Sequence, residues 1–322
     1  MSQLDRVKPA PPGVARPTSL SGRTAVRGLD EYALACRRSG QRLLRCGTTW
    51  WREVRPCFFR PFLPFLDVPS GSAGLPWRSA LGGCQYPSGE GGPPPNSLLP
   101  YLAFEDAQGY SIQHLSPRLR RYVRAAERRY VIKPLMHSAE FKELAHPVYL
   151  EFHERTGYGY LDNRVRKPLF ERWVDAEFAD SGLVALGAWA GDSLVATGLS
   201  RVVGDAWVYS TFFATNDALH GHVANLMLHH VRTLASSVEG VATVYTGMQK
   251  FGAGASVDAF YERRGAVMVR RPAVLRINPL AGWMLRLLKP DTWRRLRGDS
   301  DAGARTPPPG DRMDGDGSGD DR

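Results

Sequence analysis

The feature that most constrains this chain is a run of short apolar segments that begins at residue 183. LVALGAWA, SLVATGLSRVV and AWVYSTFFAT are separated by Gly-Asp pairs at 191–192 and 204–205. Two-residue connections of this kind between apolar runs are typical of tight β-hairpins. The segment therefore predicts three consecutive strands.

Two helices and two strands are predicted after this run. Apolar residues recur at helical spacing between about 219 and 237. VATVYTG then predicts a strand, DAFYERRG a short helix that ends at a glycine, and AVMVRRPAVL a final strand. The predicted order from residue 183 is β-β-β-α-β-α-β.

Three more helices are predicted upstream of the strands. SPRLRRYVRAAERRY begins at Ser116, a helix-capping residue followed by proline, and two further helices span about 139–155 and 168–179. In the first quarter of the chain, LDEYALACRRSGQRLL predicts a helix and WWREVRPCFFRPFLPFLDV a strand-like stretch. GGCQYPSGEGGPPPN predicts a loop from its Gly and Pro content, and SLLPYLAFED a short strand.

The charge of the chain favours an anionic partner. The net charge is +10 and the pI about 9.7, which suits a phosphorylated cofactor, RNA or a membrane surface, although excess arginine that only solubilises the surface is equally consistent. The basic, proline-rich N-terminus has no apolar segment of the secretory type, and no apolar run reaches the roughly 18 residues that cross a bilayer. We therefore expect a cytoplasmic protein with a disordered basic arm over residues 1–28 and a disordered acidic tail over residues 299–322.

The four cysteines do not predict a metal site. Cys36, Cys46, Cys57 and Cys84 have spacings that match no zinc motif. Reduced thiols in a cytoplasmic fold are the expected state, and no metal is predicted.

The end of the short helix predicted in DAFYERRG carries the first resemblance to a known family. FYERRGAV, with the order of strands and helices, resembles the Y-E-K-x-G-F ending of the GNAT acyltransferase superfamily. The resemblance implies that Tyr261 protonates the departing thiolate, and a phenol with a pKa near 10 can supply that proton. The alternative is that Tyr261 only packs its ring under the sheet.

The same resemblance implies a donor site at the start of the long helix. In the superfamily, backbone amides and the helix dipole at this turn bind the pyrophosphate of coenzyme A. Here His220 stands in place of the usual Arg or Gln, and Val223 and Asn225 replace glycines. Acyl-CoA is the implied cofactor, and the residues that would bind it are His220, Gly221, His222, Val223, Ala224 and Asn225.

The chain is also similar to the FemAB-type, or BioF2-like, branch of this superfamily over about residues 100–280. The matching positions are Arg121, Arg124, Ala125 and Arg128 in the basic helix, Asn225, Leu226 and Leu228 at the later helix start, and Thr246-Gly247 at a strand end. The resemblance implies an α/β (α+β) fold of GNAT type, a mixed sheet flanked by helices. A GNAT/FemAB-like acyltransferase domain is expected over residues 115–298, and residues 29–114 would be an N-terminal extension or a degenerate second GNAT-like half.

The function implied is N-acyl transfer from an activated donor to an amine on a cell-envelope or polysaccharide precursor. Some members of the branch transfer amino acids from aminoacyl-tRNA, so a tRNA-dependent ligase is the close alternative. A catalytically inactive GNAT-like binding module is a third, because the glycines are replaced and the strand 207–215 lacks a carboxylate.

Several other residues have the chemistry that acyl transfer to an amine needs, namely a base and a group that stabilises the oxyanion. Glu154, His220 and His222 are candidate bases, and Lys250 could stabilise an oxyanion or a phosphate. Simple structural roles compete: Glu154 would pair with Arg155, the histidines would cap the helix, and Lys250 would be a surface lysine.

Two basic stretches predict partners. FHERTGYGYLDNRVRKPLF places Arg155, Tyr158, Tyr160 and Arg164 where they would bind an anionic substrate, or would form a solvated loop. In PLAGWMLRLLKPDTWRRLRG, Trp283, Leu287 and Leu288 would enter the inner face of a membrane while nearby arginines meet headgroups, or the segment would pack on the domain. The expected partners are a small or lipid-linked amine acceptor, aminoacyl-tRNA and a membrane surface.

Overall fold

The computed structural model describes residues 28–68, 74–89, 91–157, 164–250 and 254–298. Its strands are β1 Leu43–Cys46, β2 Thr49–Arg55, β3 Phe58–Pro61, β4 Gly83–Pro87, β5 Ser97–Phe104, β6 Val131–Pro134, β7 Val184–Ala190, β8 Ser193–Val203, β9 Ala206–Ala214, β10 Thr243–Met248 and β11 Val267–Ile277. Its helices are α1 Leu29–Arg38, α2 Pro117–Glu127, α3 Ser138–Thr156, α4 Lys167–Phe178, α5 Asn216–His220, α6 Val223–Ser236, α7 Ala255–Glu262, α8 Pro279–Leu288 and α9 Pro290–Arg297. None of these helices is long and apolar enough to cross a membrane.

The strands of the described residues form one mixed sheet. Their order across it is β1-β2-β3-β4-β11-β5-β10-β9-β8-β7-β6. The order predicted from residue 183 is confirmed, with the short helix α5 added before α6. Gly191 and Gly204 have φ of 60° and 59°, the left-handed conformation that tight hairpin turns require and that glycine adopts without strain.

Helices cover both faces of the sheet. In β7, Val184 and Leu186 join the core under α6, while Ala185 and the preceding Leu183 join the core under α3 and α4. Successive strand residues point to opposite sides, so these two cores lie on opposite faces. We call them the α6 face, which also carries α2 and α7, and the α3 face, which also carries α1 and α4.

Two predictions in the first quarter of the chain were wrong. The predicted helix LDEYALACRRSGQRLL ends at Arg38, and Leu43 begins a strand, because the chain turns at Gly40 with φ of 94°. The stretch predicted as a Gly/Pro-rich loop contains β4, whose residues are all buried. Its pairing with β11 on one side and β3 on the other comes from distant segments, which local composition does not show.

Strand β5 connects the two predicted parts of the chain. It belongs to residues 29–114, yet it pairs with β10 and β11 and so lies inside the sheet of residues 115–298. The proposed boundary near residue 114 stays a prediction, and the sheet runs across it without a break. Residues 1–27 and 299–322, predicted to be disordered, lie outside the described residues.

A buried ionic cluster holds α4 to the sheet. Arg201 of β8 is 2% exposed, and it donates to Glu177 at 2.5 Å and to Asp180 at 2.6 Å. Both carboxylates are buried as well. The paired charges offset much of the cost of removing each from water.

Candidate active site

The central strands β9 and β10 separate after three residue pairs. Parallel pairing joins residues 243–245 to residues 206–208 and ends there. Beyond this point β9 pairs with β8, and β10 pairs with β5. Ser210 is exposed although its strand lies in the middle of the sheet. We call this opening the β9–β10 cleft.

Each strand carries an extra residue at the opening. In β9, Tyr209 and Thr211 lie opposite consecutive residues of β8, so Ser210 has no partner in the register. In β10 the extra residue is Thr246, followed by Gly247 with φ of 135°. A bulge interrupts the ladder of hydrogen bonds and redirects backbone groups, which makes them available to a ligand.

Tyr261 of α7 packs near this cleft on the α6 face. Its ring meets Phe104 edge-on at 6.3 Å and joins the core under α6. Although the residue keeps some exposed surface, burial raises the pKa of Tyr261 above its ordinary value. Burial also raises the pKa of Tyr209, and the charge of an ionised Tyr261 adds to that shift, so the two phenols lie close together. Both therefore stay protonated at neutral pH.

Arg264 connects α7 to the start of α6. Its Nε and Nη2 donate to Asn225 Oδ1 at 2.8 and 2.6 Å, and its Nη1 donates to the Phe260 carbonyl at 2.6 Å. Burial lowers the pKa of Arg264 to about 10, with Arg263 adding to the effect. The sequence analysis missed this residue, because an arginine in the turn after a helix carries no distinguishing signal.

The start of α6 is covered by the α2 segment. The His222 ring stacks on Tyr122 with centroids 4.0 Å apart, and the backbone of His222 is left-handed with φ of 65°. A Cβ on Gly221 would lie 2.0 Å from the Tyr130 hydroxyl, so any larger residue there requires the Tyr130 side chain to move. Burial lowers the pKa of His222, and the nearby charges of Arg129 and Arg264 lower it further.

Lys250 lies at the other end of α7. Its backbone N–H donates to Asp258 Oδ2 at 2.6 Å. Burial lowers the pKa of the Lys250 side chain, while Asp258 partly offsets that change. The same Asp258 contributes to the raised pKa of Tyr261, so one carboxylate acts on both groups. Lys250 is half-buried.

Glu154 and Arg155 lie at the end of α3. Glu154 is exposed. Arg155 Nη1 donates to the Ala214 carbonyl at 3.2 Å and to Asn216 Oδ1 at 2.5 Å, which braces the turn after β9. Arg164 lies over the Trp173 ring at 4.3 Å, on α4. Tyr158 and Tyr160 lie outside the described residues.

The predicted residues thus fall into two groups. Lys250, Tyr261, His222 and Asn225 are connected through Asp258 and Arg264 around α7 and the start of α6. Glu154 and Arg155 belong to α3, and Arg164 lies against Trp173 of α4, both on the α3 face. Their chemical roles stay predictions. Among the described residues, no three His, Cys, Asp or Glu side chains converge as metal ligands would.

A second pair of residues that sequence reasoning missed lies on the α3 face. Arg52 and Arg60 are opposite each other across β2 and β3, and the charges of both act on Tyr245. Tyr245 is the last β10 residue that pairs with β9. In the described part of the chain, the buried Nε atoms of both arginines have no hydrogen-bond partner, and burial lowers the pKa of Arg60 to about 10.

Solved structures share this architecture, whereas no family model and no curated protein matches the sequence. FemX superposes with a TM-score of 0.52 at 10% identity, over 81% of this chain and 94% of FemX. The C-terminal domain of a putative lysylphosphatidylglycerol synthetase from Agrobacterium fabrum gives 0.50 at 12%, over 81% and 91%. The fold is GNAT-like, of the FemAB type. This confirms the predicted fold class.

In the GNAT-like fold, residues 220–225 were predicted to hold the pyrophosphate of coenzyme A. Gly221, Val223 and Asn225 are buried, and Tyr122 and Tyr130 cover the turn. Asn225 also accepts two hydrogen bonds from Arg264. Binding of the donor by these six residues stays a prediction.

Proposed function

We propose that the protein transfers an acyl group from an activated donor to an amine in the β9–β10 cleft. The observation that carries the proposal is the opening itself, where Ser210 is exposed in the middle of the sheet and two protonated phenols lie on its α6 face. The FemAB-type fold supports acyl or aminoacyl transfer as the general class of reaction.

The residues supply the steps of such a transfer. The amine nitrogen attacks the acyl carbonyl, a C–N bond forms, and the bond from the acyl carbon to the donor's sulfur or oxygen breaks. The Tyr261 hydroxyl donates its proton to the leaving atom, a role its raised pKa suits because the proton is present at neutral pH. Backbone N–H groups freed by the bulge at Ser210 would stabilise the oxyanion. His222 is neutral at neutral pH, because its pKa is lowered, and would accept the proton of the amine.

Two donors compete in this proposal. Acyl-CoA was the expected cofactor, but the covered start of α6 favours the alternative, an aminoacyl-tRNA. One similar structure is named for the synthesis of lysylphosphatidylglycerol, a lipid that carries an amino acid. The acceptor we propose is an amine on an anionic cell-envelope or polysaccharide precursor, with Arg52 and Arg60 as the positive charge near the α3 face of the cleft.

Filling the cleft tests the proposed location. We expect Ser210→Trp to abolish discharge of the labelled acyl group from its donor, because a large side chain on this bulge residue would crowd the opening where β9 and β10 separate. Ser193→Trp, at an exposed position beside the β7–β8 turn, is the matched control and should react at the wild-type rate. If both variants discharge the donor at the same rate and have equal melting temperatures, the reaction does not take place in the cleft.

Binding measurements with each candidate donor distinguish acyl-CoA from aminoacyl-tRNA. A rise in melting temperature with acetyl-CoA would select acyl-CoA. Salt-sensitive binding of tRNA without that rise would select the aminoacyl donor. If neither ligand binds and no donor is discharged, the third hypothesis, an inactive binding module, replaces the enzyme.

A further inference from the structure

Helix α8 exposes a continuous apolar stripe. Leu280, Trp283, Met284, Leu287 and Leu288 are 65%, 59%, 46%, 61% and 72% exposed. Their spacing of three and four residues places all five on one side of the helix. Single exposed apolar residues are ordinary on a protein surface, but a whole helical stripe marks an interaction surface.

A second element enlarges this surface. Trp77 begins a short 3₁₀ turn before β4 and Leu81 follows it, and the two are 79% and 62% exposed. The turn is attached to the start of α8, because Asn278 Nδ2 donates to the Ala80 carbonyl and its backbone N–H donates to the Gly82 carbonyl, both at 2.9 Å. We call Trp77, Leu81 and the five α8 residues the apolar patch.

The patch is held facing outward by contacts on the other side of α8. Gly282 is buried there, with the Trp293 ring of α9 close by, and Arg286 lies over that ring at 4.3 Å. Helix α9 in turn contacts β5, and the Leu296 carbonyl accepts a hydrogen bond from the buried Gln85. The stripe is therefore held in place by packing on the folded domain.

Cations are concentrated in the segment that carries the stripe. Residues 279–298 contain five Arg and Lys residues and a single acidic residue, Asp291. Arg286 lies on α8, Lys289 separates the two helices, and Arg294 and Arg295 follow on α9. Large apolar and tryptophan side chains in a cationic segment are the combination that binds a membrane surface containing anionic lipids.

We propose that the apolar patch docks the protein on an anionic lipid surface. Residues 299–322 are acidic and could meet the cations, but their only large apolar residue is Met313. Residues 1–27 carry five cations against one acid, and a second copy of the chain would likewise bring positive charge against positive charge. A negatively charged lipid surface matches both the apolar stripe and the cations. The inference rests on this surface alone and is independent of the proposed transfer reaction.

Vesicle binding by the full chain tests this directly. We expect co-sedimentation with vesicles of phosphatidylcholine and phosphatidylglycerol, and little with phosphatidylcholine alone. The double variant Trp283→Ser/Leu287→Ser should bind at least tenfold more weakly, whereas Leu150→Ser, an exposed leucine of α3, should bind as the wild type does. Arg294→Gln/Arg295→Gln should lose about fivefold per cation removed, and salt should reduce the wild-type binding.

Three results would overturn the proposal: no vesicle binding by the wild type, equal binding to neutral and anionic vesicles, or unchanged binding by the double variant. If the wild type forms a dimer and does not bind vesicles, and the double variant is monomeric, the patch binds a second copy of the chain. Equal melting temperatures of the variants and the wild type exclude unfolding as the cause of weaker binding. The variants should discharge the acyl donor in solution at the wild-type rate.

Discussion

Arg264 is a residue of the candidate site that only the structure identifies. Tyr261 was marked by its position before a helix-ending glycine, whereas Arg264 became visible only through its hydrogen bonds to Asn225 and Phe260. The reason is physical: side-chain partners 39 positions apart are chosen by the fold, and the local pattern of residues does not contain them. The same holds for Arg52 and Arg60, whose significance comes from Tyr245 on a distant strand.

Gly221 gives a residue-scale prediction about the start of α6. We expect Gly221→Ala to lower the free energy of unfolding by about 1–3 kcal/mol, because its Cβ would overlap the Tyr130 hydroxyl. Tyr130→Phe should restore part of that loss. Urea unfolding measures it, with Gly28→Ala as the control, since nothing lies within 4 Å of a Cβ there. If Gly221→Ala is as stable as the wild type, the close contact is not present in solution.

Arg201 gives a second prediction at this scale. Arg201→Met leaves Glu177 and Asp180 buried without a cation, which we expect to cost about 3–5 kcal/mol of unfolding free energy. Arg294→Met is the matched control, because its pair with Asp291 is exposed and worth about 0–1 kcal/mol. Similar losses in the two variants would show that the Arg201 cluster is hydrated.

At the scale of the elements, strands with local partners were predictable and the others were not. Gly-Asp turns connect β7, β8 and β9, so each strand pairs with its neighbour in the sequence and the pairing can be predicted locally. β4 was missed because both of its neighbours, β3 and β11, lie elsewhere in the chain. The start of α6 was predicted to hold the donor, and what covers it is α2, about a hundred residues upstream.

Helix α6 carries two histidines that make stability depend on pH. Burial lowers the pKa of His229 and of His230 to about 4, below the ordinary value of 6.5. Between these values the unfolded state binds more protons than the folded state, so the free energy of unfolding should fall as the pH drops from about 6.5 to 4.

The variant His230→Gln isolates this effect. We expect its loss of stability between pH 6.5 and pH 4 to be smaller than that of the wild type, by up to about 1.4 kcal/mol per pH unit, because one proton fewer is taken up on unfolding. His114→Gln, which removes an exposed histidine, should leave the wild-type dependence unchanged. Unfolding in urea at pH 4, 5, 6 and 7 is the measurement, and parallel curves for His230→Gln and the wild type would contradict the assignment.

At the scale of the whole molecule, β5 determines the architecture. It supplies the antiparallel neighbour of both β10 and β11, so the site-bearing half of the sheet depends on a strand from the first third of the chain. The cleft arises because β10 follows β5 while β9 follows β8. The order of elements predicted the GNAT-like sheet, but this divergence depends on long-range pairing that the order alone does not contain.

A fragment of residues 115–298 should therefore fail to fold alone. Without β5, strands β10 and β11 lose the partner they share, and we expect a soluble yield and a cooperative unfolding transition only for residues 28–298. Circular dichroism melts of the two fragments compare them. A cooperative transition for residues 115–298 would show that the boundary predicted near residue 114 separates independent domains.

The central claim, that acyl transfer takes place in the β9–β10 cleft with Tyr261 as the proton donor, is tested most directly by Tyr261→Phe. Discharge of labelled acetyl-CoA and of labelled aminoacyl-tRNA is followed in the presence of a mixture of amines, with Tyr86→Phe, a buried tyrosine of β4, as the matched control. The account predicts that Tyr261→Phe slows discharge of the active donor by about 10²–10⁴-fold while Tyr86→Phe reacts like the wild type. Wild-type turnover by a folded Tyr261→Phe variant would contradict it.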